Sequence, residues 1–231
     1  MTHVVLFDID GTLLASGGVG RRAMEGALVA HFGTVGPAQY RYDGKTDRQI
    51  ARELMRDAGY SDADIDGRMD ALLADYLARL GVALADGARD MTVHRGIFAL
   101  LDALEARADV LLGLLTGNIA GGAALKLEAA GIAPARFRVG AFGSDHEHRS
   151  SLPAIAQRRA SDLLGHEVQG DAVVIVGDTP ADVQCGRGIG ARAVAVATGH
   201  FTVADLAAHK PDAVFEDFSD LNAAVAAMCH A

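Results

Sequence analysis

Five short apolar runs constrain the fold of this 231-residue chain more than any other feature. They cover residues 3–9, 110–115, 137–142, 172–176 and 193–197, and a weaker sixth run covers 213–215. The runs show little alternation of polar and apolar residues, and each ends in small or polar ones. Strands buried on both faces have this composition, which is typical of parallel sheets. The runs therefore predict a parallel sheet.

Helical patterns separate these runs from residue 94 onward. They cover residues 94–107, 121–130 and 152–164, and a fourth helix opens at Thr179-Pro180 with proline in its first position. We expect Ser150 and Ser151 to cap the third of these helices and Ser219 to cap the last helix of the chain. Strands that alternate with helices form an open α/β sheet with right-handed crossovers. The fold class is thus α/β, with a Rossmann-like core.

An insertion interrupts this order. Between residues 15 and 92 we find three helical patterns, at 21–32, 46–58 and 61–84, and no clear strand. Glycine-containing segments at 16–20 and 86–90 bound the insertion and would suit a hinge. We predict an α/β core formed by residues 1–14 and 93–231, and an all-helical cap formed by residues 15–92.

The charge balance excludes several classes of function. The chain carries 30 acidic and 21 basic residues, for a net charge of −9, so a broad basic surface for nucleic acid is not expected. An apolar run of the roughly 18 residues that span a membrane is missing, and the first residues do not resemble a signal peptide. Two cysteines do not make a disulfide framework. We expect a cytoplasmic protein that binds no membrane, and its oligomeric state stays open.

The strongest chemical signal is the pair of carboxylates at the end of the first apolar run. Asp8 and Asp10 stand two positions apart, so their side chains would point the same way if the strand continued through them. Like charges are costly to bury together, which implies a nearby cation. Asp178 ends another predicted strand, and Asp182 follows four residues later. An all-oxygen set with room for water suits Mg²⁺, which binds phosphate substrates.

Two further signals lie at the same predicted edge of the sheet. Thr116 ends the second long apolar run and precedes Gly117 and Asn118, a set of donors that could hold phosphate oxygens. Arg149 lies between a strand end and a helix start, where it would supply fixed positive charge. Each residue alone could be a turn residue or a solvated charge. Their joint occurrence at the carboxyl ends of strands favours a functional site.

Weaker candidates are open to two interpretations. Lys45 precedes a helix of the insertion and could bind a substrate from the cap, or could simply be a solvated lysine. The run Asp145 to His148 has metal-binding residue types, but its spacing and the adjacent Arg149 argue against a metal there.

Together these motifs resemble the haloacid dehalogenase superfamily of hydrolases. The resemblance covers the chain through DIDGT, the helical insertion, LLTGN, Arg149 and GDTPAD, and it favours the phosphoglycolate-phosphatase-like branch. It implies that Asp8 is a nucleophile that forms an aspartyl-phosphate and that Asp10 acts as general acid and base. It also implies that Thr116 and backbone amides hold the phosphoryl group. Arg149 takes a position where many relatives have lysine, which puts the geometry of its contact in doubt.

The same resemblance implies the metal site and the reaction. Asp8, the backbone carbonyl of Asp10, and Asp178 would hold Mg²⁺, with support from Asp182. The expected substrate is a small phosphorylated metabolite such as phosphoglycolate.

Other functions remain to be weighed against this one. A phosphomutase of the beta-phosphoglucomutase type uses the same two aspartates and is the main alternative. Dehalogenation is disfavoured because dehalogenases lack the second aspartate, whereas phosphonate cleavage would need Lys45 to form a Schiff base. A binding module with an inactive site would not need the intact aspartates.

Overall fold

The computed structural model describes residues 2–87 and 91–229. Its strands are β1 (His3–Phe7), β2 (Leu14–Ala15), β3 (Thr92–Val93), β4 (Val110–Thr116), β5 (Val139–Phe142), β6 (Val173–Gly177), β7 (Arg192–Val196) and β8 (Ala213–Phe215). Six of them form one parallel sheet in the order β5-β4-β1-β6-β7-β8, and β2 pairs antiparallel with β3. The predicted parallel sheet is confirmed.

Nine helices are found in the described part of the chain. They are α1 (Val19–Phe32), α2 (Asp47–Asp57), α3 (Asp62–Gly87), α4 (Ile97–Glu105), α5 (Ala120–Ala129), α6 (Leu152–Leu164), α7 (Pro180–Cys185), α8 (Val203–Ala207) and α9 (Leu221–Cys229). Every predicted helix is present, and α8 is an addition that the sequence patterns did not indicate. Within the described ranges, no helix has the length and apolarity needed to cross a membrane.

Alternate residues of β1 pack against different layers of helices. Val5 and Phe7 belong to a cluster with apolar residues of α4 and α9, while Val4 and Leu6 pack with residues of α6. The side chains of a strand point alternately to its two faces, so helices must cover both faces of this sheet. That arrangement explains why the strands are apolar without alternation.

Helices α1, α2 and α3 enclose a separate hydrophobic cluster. Met24 on α1, Met55 on α2 and Tyr76 on α3 are almost fully buried within it. The β2–β3 ribbon joins these helices to the sheet, with Leu14 opposite Val93. The helical insertion is therefore present, and the division into domains at residues 14/15 and 92/93 stays a prediction. Part of the second proposed hinge segment, residues 88–90, lies outside the described residues.

Two strands are shorter than predicted. The first ends at Phe7 rather than at residue 9, because the carbonyl of Ile9 accepts the N–H groups of Thr12, Leu13 and Leu14 in a tight turn. The strand predicted from residue 137 begins at Val139, because a short 3₁₀ turn precedes it. Apolar composition continues into both turns, so it could not locate these ends.

One prediction of a helix cap was wrong, and a second was confirmed in position but not in its hydrogen bond. The N–H of Ala223 in α9 donates to Oδ1 of Asp220, so Asp220 rather than Ser219 caps that helix. Ser151 stands at the N-cap of α6 but makes no hydrogen bond with its side chain. A 3₁₀ turn formed by Arg149–Ser151 leads into α6 and changes the geometry at this cap.

Candidate active site

The carboxyl ends of β1, β4 and β6 meet at one cleft between the sheet and the inserted helices. The cleft has a volume of about 770 Å³. The predicted site residues that line it are Asp8, Asp10, Thr116, Gly117, Asn118, Arg149, Asp178 and Lys45. Asp182 lies just behind the lining and is buried. The topology of the sheet explains this meeting, because the three strands are parallel neighbours.

Asp8 directly follows β1 and is buried beside Arg149. Nη2 of Arg149 lies 3.3 Å from Oδ2 of Asp8, and it also donates to Oδ1 of Asp182 and to the carbonyl of Leu115. Burial alone would lower the pKa of this guanidinium, but the two carboxylates outweigh burial and raise it. Arg149 therefore stays charged and holds its head group against the reactive edge of the sheet.

Asp178 directly follows β6 and is packed tightly between two glycines. A Cβ at Gly11 would lie 2.3 Å from Oδ2 of Asp178, and a Cβ at Gly199 would lie 1.8 Å from it. Gly11 also has a φ of +82°, which favours glycine. The hydroxyl of Thr12 donates to Oδ1 at 3.1 Å. These contacts fix the carboxylate and leave no room for side chains at the two glycine positions.

Asp182 forms hydrogen bonds both at the start of α7 and with Arg149 of the site. Its Oδ2 accepts from the N–H of Thr179 at 3.0 Å and from the hydroxyl of Thr179 at 2.6 Å, and its N–H donates to that hydroxyl. This capping box begins α7. Since Oδ1 binds Arg149, both carboxylate oxygens already have donors. Asp182 is therefore placed to orient Arg149 and to support the site from behind.

The buried carboxylates outnumber the cation beside them. One oxygen each from Asp8, Asp178 and Asp182 lies within 4.8 Å of the others, and Arg149 is the cation in contact with two of the three. Burial and mutual repulsion outweigh Arg149 and raise the pKa of Asp8 to about 6 and that of Asp178 to about 8. A divalent cation would remove this imbalance, and hard oxygen donors are the ligands that Mg²⁺ prefers. The donor set therefore fits Mg²⁺.

Asp10 lies in a network of its own. Its Oδ2 accepts from Nζ of Lys126 at 2.6 Å and from Nδ2 of Asn118 at 2.9 Å, and its Oδ1 accepts from the hydroxyl of Ser16 at 3.0 Å. Burial would raise the pKa of Asp10, but Lys126 and these hydrogen bonds outweigh burial and lower it. Asp8 and Asp10 thus face opposite electrostatic environments at the end of the same strand.

Lys126 is the site residue that sequence reasoning missed. It lies on α5, ten residues after Thr116, and its side chain is only 5% exposed. A signal was available: the flanking sequence on this helix is alanine, leucine and glycine, and a lysine inside an apolar helix seldom stays buried without a partner.

The turn after β4 is occupied by contacts within the protein. Oγ1 of Thr116 accepts from the backbone N–H of Asn118 at 3.3 Å and from its side-chain amide at 2.8 Å. Oδ1 of Asn118 accepts from Lys126 at 2.7 Å. Thr116 is placed beside the cleft as predicted, while the side chain of Asn118 is engaged in orienting its neighbours. Substrate contacts by Thr116, Gly117 and Asn118 stay predictions.

Lys45 lies on the cap side of the cleft with its own partners. Its Nζ lies 2.7 Å from Oε2 of Glu53 and 2.8 Å from the hydroxyl of Tyr40. Burial would raise the pKa of Glu53, but Lys45 and the other donors outweigh it and lower the pKa to about 2. Lys45 is thus ion-paired, and its side chain is 28% exposed. Substrate binding by Lys45 stays a prediction.

The acidic run near Arg149 binds arginines. Asp145 accepts from Arg159 at 2.7 Å, and Glu147 accepts from Arg52 at 2.7 Å. Both carboxylates therefore already have a cationic partner, and the absence of a metal from this run stays a prediction.

Comparison with known proteins identifies the family. The HAD-hydrolase-like family model matches residues 151–221. A phosphoglycolate phosphatase of Rhodospirillum rubrum is 33% identical over 230 residues, which cover 96% of this chain and 90% of the relative. The chain belongs to the haloacid dehalogenase superfamily. A second phosphoglycolate phosphatase, from Synechococcus elongatus, is 31% identical and covers 96% of this chain and 97% of the relative.

Comparison with solved structures shows the same fold. A hydrolase from Pseudomonas syringae matches with a TM-score of 0.72 at 20% identity, covering 96% of this chain and 97% of the other. At that identity the match shows the fold alone. The resemblance inferred from the motifs is confirmed, and the chain is a phosphatase-type hydrolase of the phosphoglycolate-phosphatase-like branch.

Proposed function

We propose that this enzyme is a Mg²⁺-dependent phosphatase that hydrolyses a small organic phosphate monoester through an aspartyl-phosphate. The observation that carries the proposal is the excess of buried carboxylates over Arg149 at the ends of β1 and β6. Such an excess is costly unless a cation and an anionic substrate complete the site. Phosphoglycolate is the first candidate substrate, because two relatives that match nearly the whole chain bear that name.

Asp8 is the proposed nucleophile. A carboxylate oxygen of Asp8 attacks phosphorus, a bond forms between them, and the bond from phosphorus to the leaving oxygen breaks. The negative charge of the bound phosphoryl group raises the pKa of Asp10, so Asp10 takes up a proton from solvent and enters the reaction protonated. It then gives this proton to the leaving oxygen, and the alcohol departs neutral. In the second step Asp10 takes a proton from water, the water oxygen attacks phosphorus, and the bond to Asp8 breaks to release inorganic phosphate. Both aspartates return to their initial states.

The remaining residues position and neutralise the phosphoryl group. Loose transition states of phosphoryl transfer depend mainly on positioning and charge neutralisation. Thr116, with the backbone amides of Gly117 and Asn118, would hold the phosphoryl oxygens, and Arg149 would neutralise part of their charge. Asp8, Asp178 and the backbone carbonyl of Asp10 would hold Mg²⁺, which when bound supplies positive charge to the phosphoryl oxygens. Asp182 would hold Arg149 in place.

Lys45 would contact the part of the substrate that faces the cap. It lines the same cleft as Asp8, although Glu53 and Tyr40 hold its amine. A small phosphorylated metabolite fits a cleft of about 770 Å³. We also propose a cytoplasmic location, because Cys185 and Cys229 are both free thiols, as a reducing compartment keeps them.

The test is phosphate release from a panel of small esters that includes phosphoglycolate and hexose phosphates. Each ester is assayed with and without Mg²⁺, and Asp8→Asn serves as the control. Release that requires both Mg²⁺ and Asp8 is expected, and the order of kcat/KM values would identify the substrate. Release from no ester would refute the proposal, and conversion of one hexose phosphate to its isomer would identify a mutase.

A further inference from the structure

Lys126 is a buried amine whose hydrogen bonds in the described structure lie at the reactive edge of the sheet. Its Nζ lies 2.6 Å from Oδ2 of Asp10 and 2.7 Å from Oδ1 of Asn118. A buried ammonium is costly unless it is paired and hydrogen-bonded, and these two partners supply both conditions. Neither Asp8 nor Asp178 contacts this lysine in the described structure. Lys126 is therefore tied to one specific aspartate of the pair.

The contacts divide the two oxygens of Asp10 between different tasks. Oδ2 accepts from both Lys126 and Asn118, so its lone pairs are used within the protein. Oδ1 accepts from Ser16, whose hydroxyl can also accept a hydrogen bond after rotation. A proton that moves to and from Asp10 would therefore reside on Oδ1, while Oδ2 keeps the carboxyl group oriented.

The cap completes the surroundings of the lysine. Gly20, in the first turn of α1, leaves space for its tip, because a Cβ there would lie 3.1 Å from Nζ and 3.3 Å from Cε. Asp47, at the start of α2, is buried, and Lys126 acts on its carboxylate as a neighbouring positive charge. The hydroxyl of Tyr76 would lie 3.8 Å from the same Cβ at Gly20. The N–H of Ile119 on the core side donates to Asp47 at 2.8 Å. Groups from both the cap and the core thus enclose the same amine.

We propose that Lys126 is a positioning residue: it holds Asp10 through Oδ2, so that Oδ1 is aligned for proton transfer. The docked cap keeps Lys126 in this position through Gly20, Asp47 and Tyr76. The inference rests on the proposed function, because it assigns a partner to the general acid of that reaction. The inference connects the position of the cap with the ability of Asp10 to transfer a proton.

Lys126→Met tests the inference through its dependence on the leaving group. An alkyl alcohol must be protonated as it leaves, whereas p-nitrophenolate leaves as a stable anion and needs little help from an acid. Release of each alcohol is measured in a single turnover with excess enzyme, so that only the first chemical step is observed. The alkyl ester is phosphoglycolate, or the alkyl ester of the panel that turns over fastest. We expect the alkyl rate to fall about 100-fold and the p-nitrophenyl rate to fall less than about 5-fold.

Gly20→Ala is a second variant that leaves the lysine in place. Alanine favours a helix, so the variant should fold, but its methyl group displaces the tip of Lys126. We expect the ratio of the p-nitrophenyl rate to the alkyl rate to rise about 10-fold. Gly26→Ala is the matched control on the same helix, because a Cβ there meets the mobile head group of Arg79 instead. Its ratio should equal that of the unsubstituted enzyme. Lys126→Arg, which keeps the charge, should recover part of the alkyl rate.

The outcomes separate the inference from the function on which it rests. Equal slowing of both esters by Lys126→Met would show a merely structural lysine and would overturn the inference while the phosphatase stands. An unchanged ratio in Gly20→Ala would overturn it as well, even if Lys126→Met failed to fold. No release of phosphate by the unsubstituted enzyme would overturn both.

Discussion

Two ionic clusters face each other across the cleft, and they differ in the balance of positive and negative charge. The strand-end cluster contains Asp8, Asp178, Asp182 and Arg149, all nearly fully buried. The cap cluster contains Lys45, Glu53 and Tyr40, where the ion pair is 28% and 34% exposed at its two side chains. The first has three carboxylates around one guanidinium, while the second pairs one ammonium with one carboxylate.

The charges of the cap cluster balance each other within the protein, whereas the strand-end cluster has an excess of negative charge that a bound cation would balance. In the cap cluster the positive charge of Lys45 balances the negative charge of Glu53. Burial would raise the pKa of Glu53, but the contacts with Lys45 and the other donors outweigh burial and lower it. In the strand-end cluster Arg149 does not balance the three carboxylates. The pKa values of Asp8 and Asp178 are raised because burial and repulsion outweigh the attraction of Arg149. Buried charge without a partner of opposite sign lowers the stability of a protein, so its presence in a cleft indicates a functional site.

The largest effect is expected from Asp8→Asn. The amide cannot attack phosphorus, so kcat should fall at least about 10⁴-fold while the fold is kept. Steady-state phosphate release measures it, with a thermal melt to confirm folding. Asp145→Asn is the matched control, because that aspartate binds Arg159 outside the site and should retain nearly full activity. A similar loss in both variants would contradict a special role for the strand-end cluster.

Removal of Mg²⁺ should have the next largest effect. A chelator should lower phosphate release more than about 100-fold, and added Mg²⁺ should restore it. Mg²⁺ should also raise the melting temperature, because a ligand that binds only the native state stabilises it. Asp178→Asn should abolish that rise. A cation requirement with no rise in melting temperature would place the metal elsewhere.

The pH dependence of stability should reveal the same imbalance. Asp8 and Asp178 have native pKa values of about 6 and about 8, above those of unfolded aspartate. At these two sites the native state binds more protons than the unfolded state, so their contribution to stability falls as pH rises from about 4 through 8. In chelator the melting temperature should decrease by several degrees across this range. Mg²⁺ or Asp178→Asn should flatten the slope, whereas an unchanged slope in both would refute the assignment.

Lys45→Met tests the cap side with a smaller expected effect. If Lys45 contacts the substrate, KM should rise about 10-fold and kcat should change less than about 3-fold, because the chemistry occurs across the cleft. Lys210→Met is the matched control, since Lys210 is exposed and does not line the cleft. An unchanged KM would make the cap cluster purely structural.

Glu53→Gln should have the smallest effect. It removes a partly exposed ion pair, so the free energy of unfolding should fall by less than about 1 kcal/mol. Tyr40 keeps its contact with Lys45, which limits the change in position of the amine. Urea denaturation measures the stability. A loss of several kcal/mol would show that the cap cluster is as tightly coupled as the strand-end cluster.

The sequence predicted the elements well where the signal is local. The apolar runs located all six strands of the parallel sheet, and they failed only at ends such as Ile9 and Phe137, where apolar composition continues into a turn. Side-chain caps were predicted less well, because Ser219 and Asp220 are adjacent and both have suitable side chains. Composition cannot choose between such neighbours, since the choice depends on the path of the backbone.

The sequence by itself determined the α/β class and the presence of Asp8, Asp10, Thr116 and Asp178 at the ends of strands. The apolar runs locate the strands, and parallel neighbours bring their carboxyl ends together whatever the details of packing. Only the tertiary structure decided which groups meet there. Lys126 reaches Asp10 across 116 positions of the chain, and Asp47 meets Ile119 across 72. The first contact depends on where α5 lies relative to the end of β1, and the second depends on how the cap docks on the core. No local pattern in the sequence encodes either one.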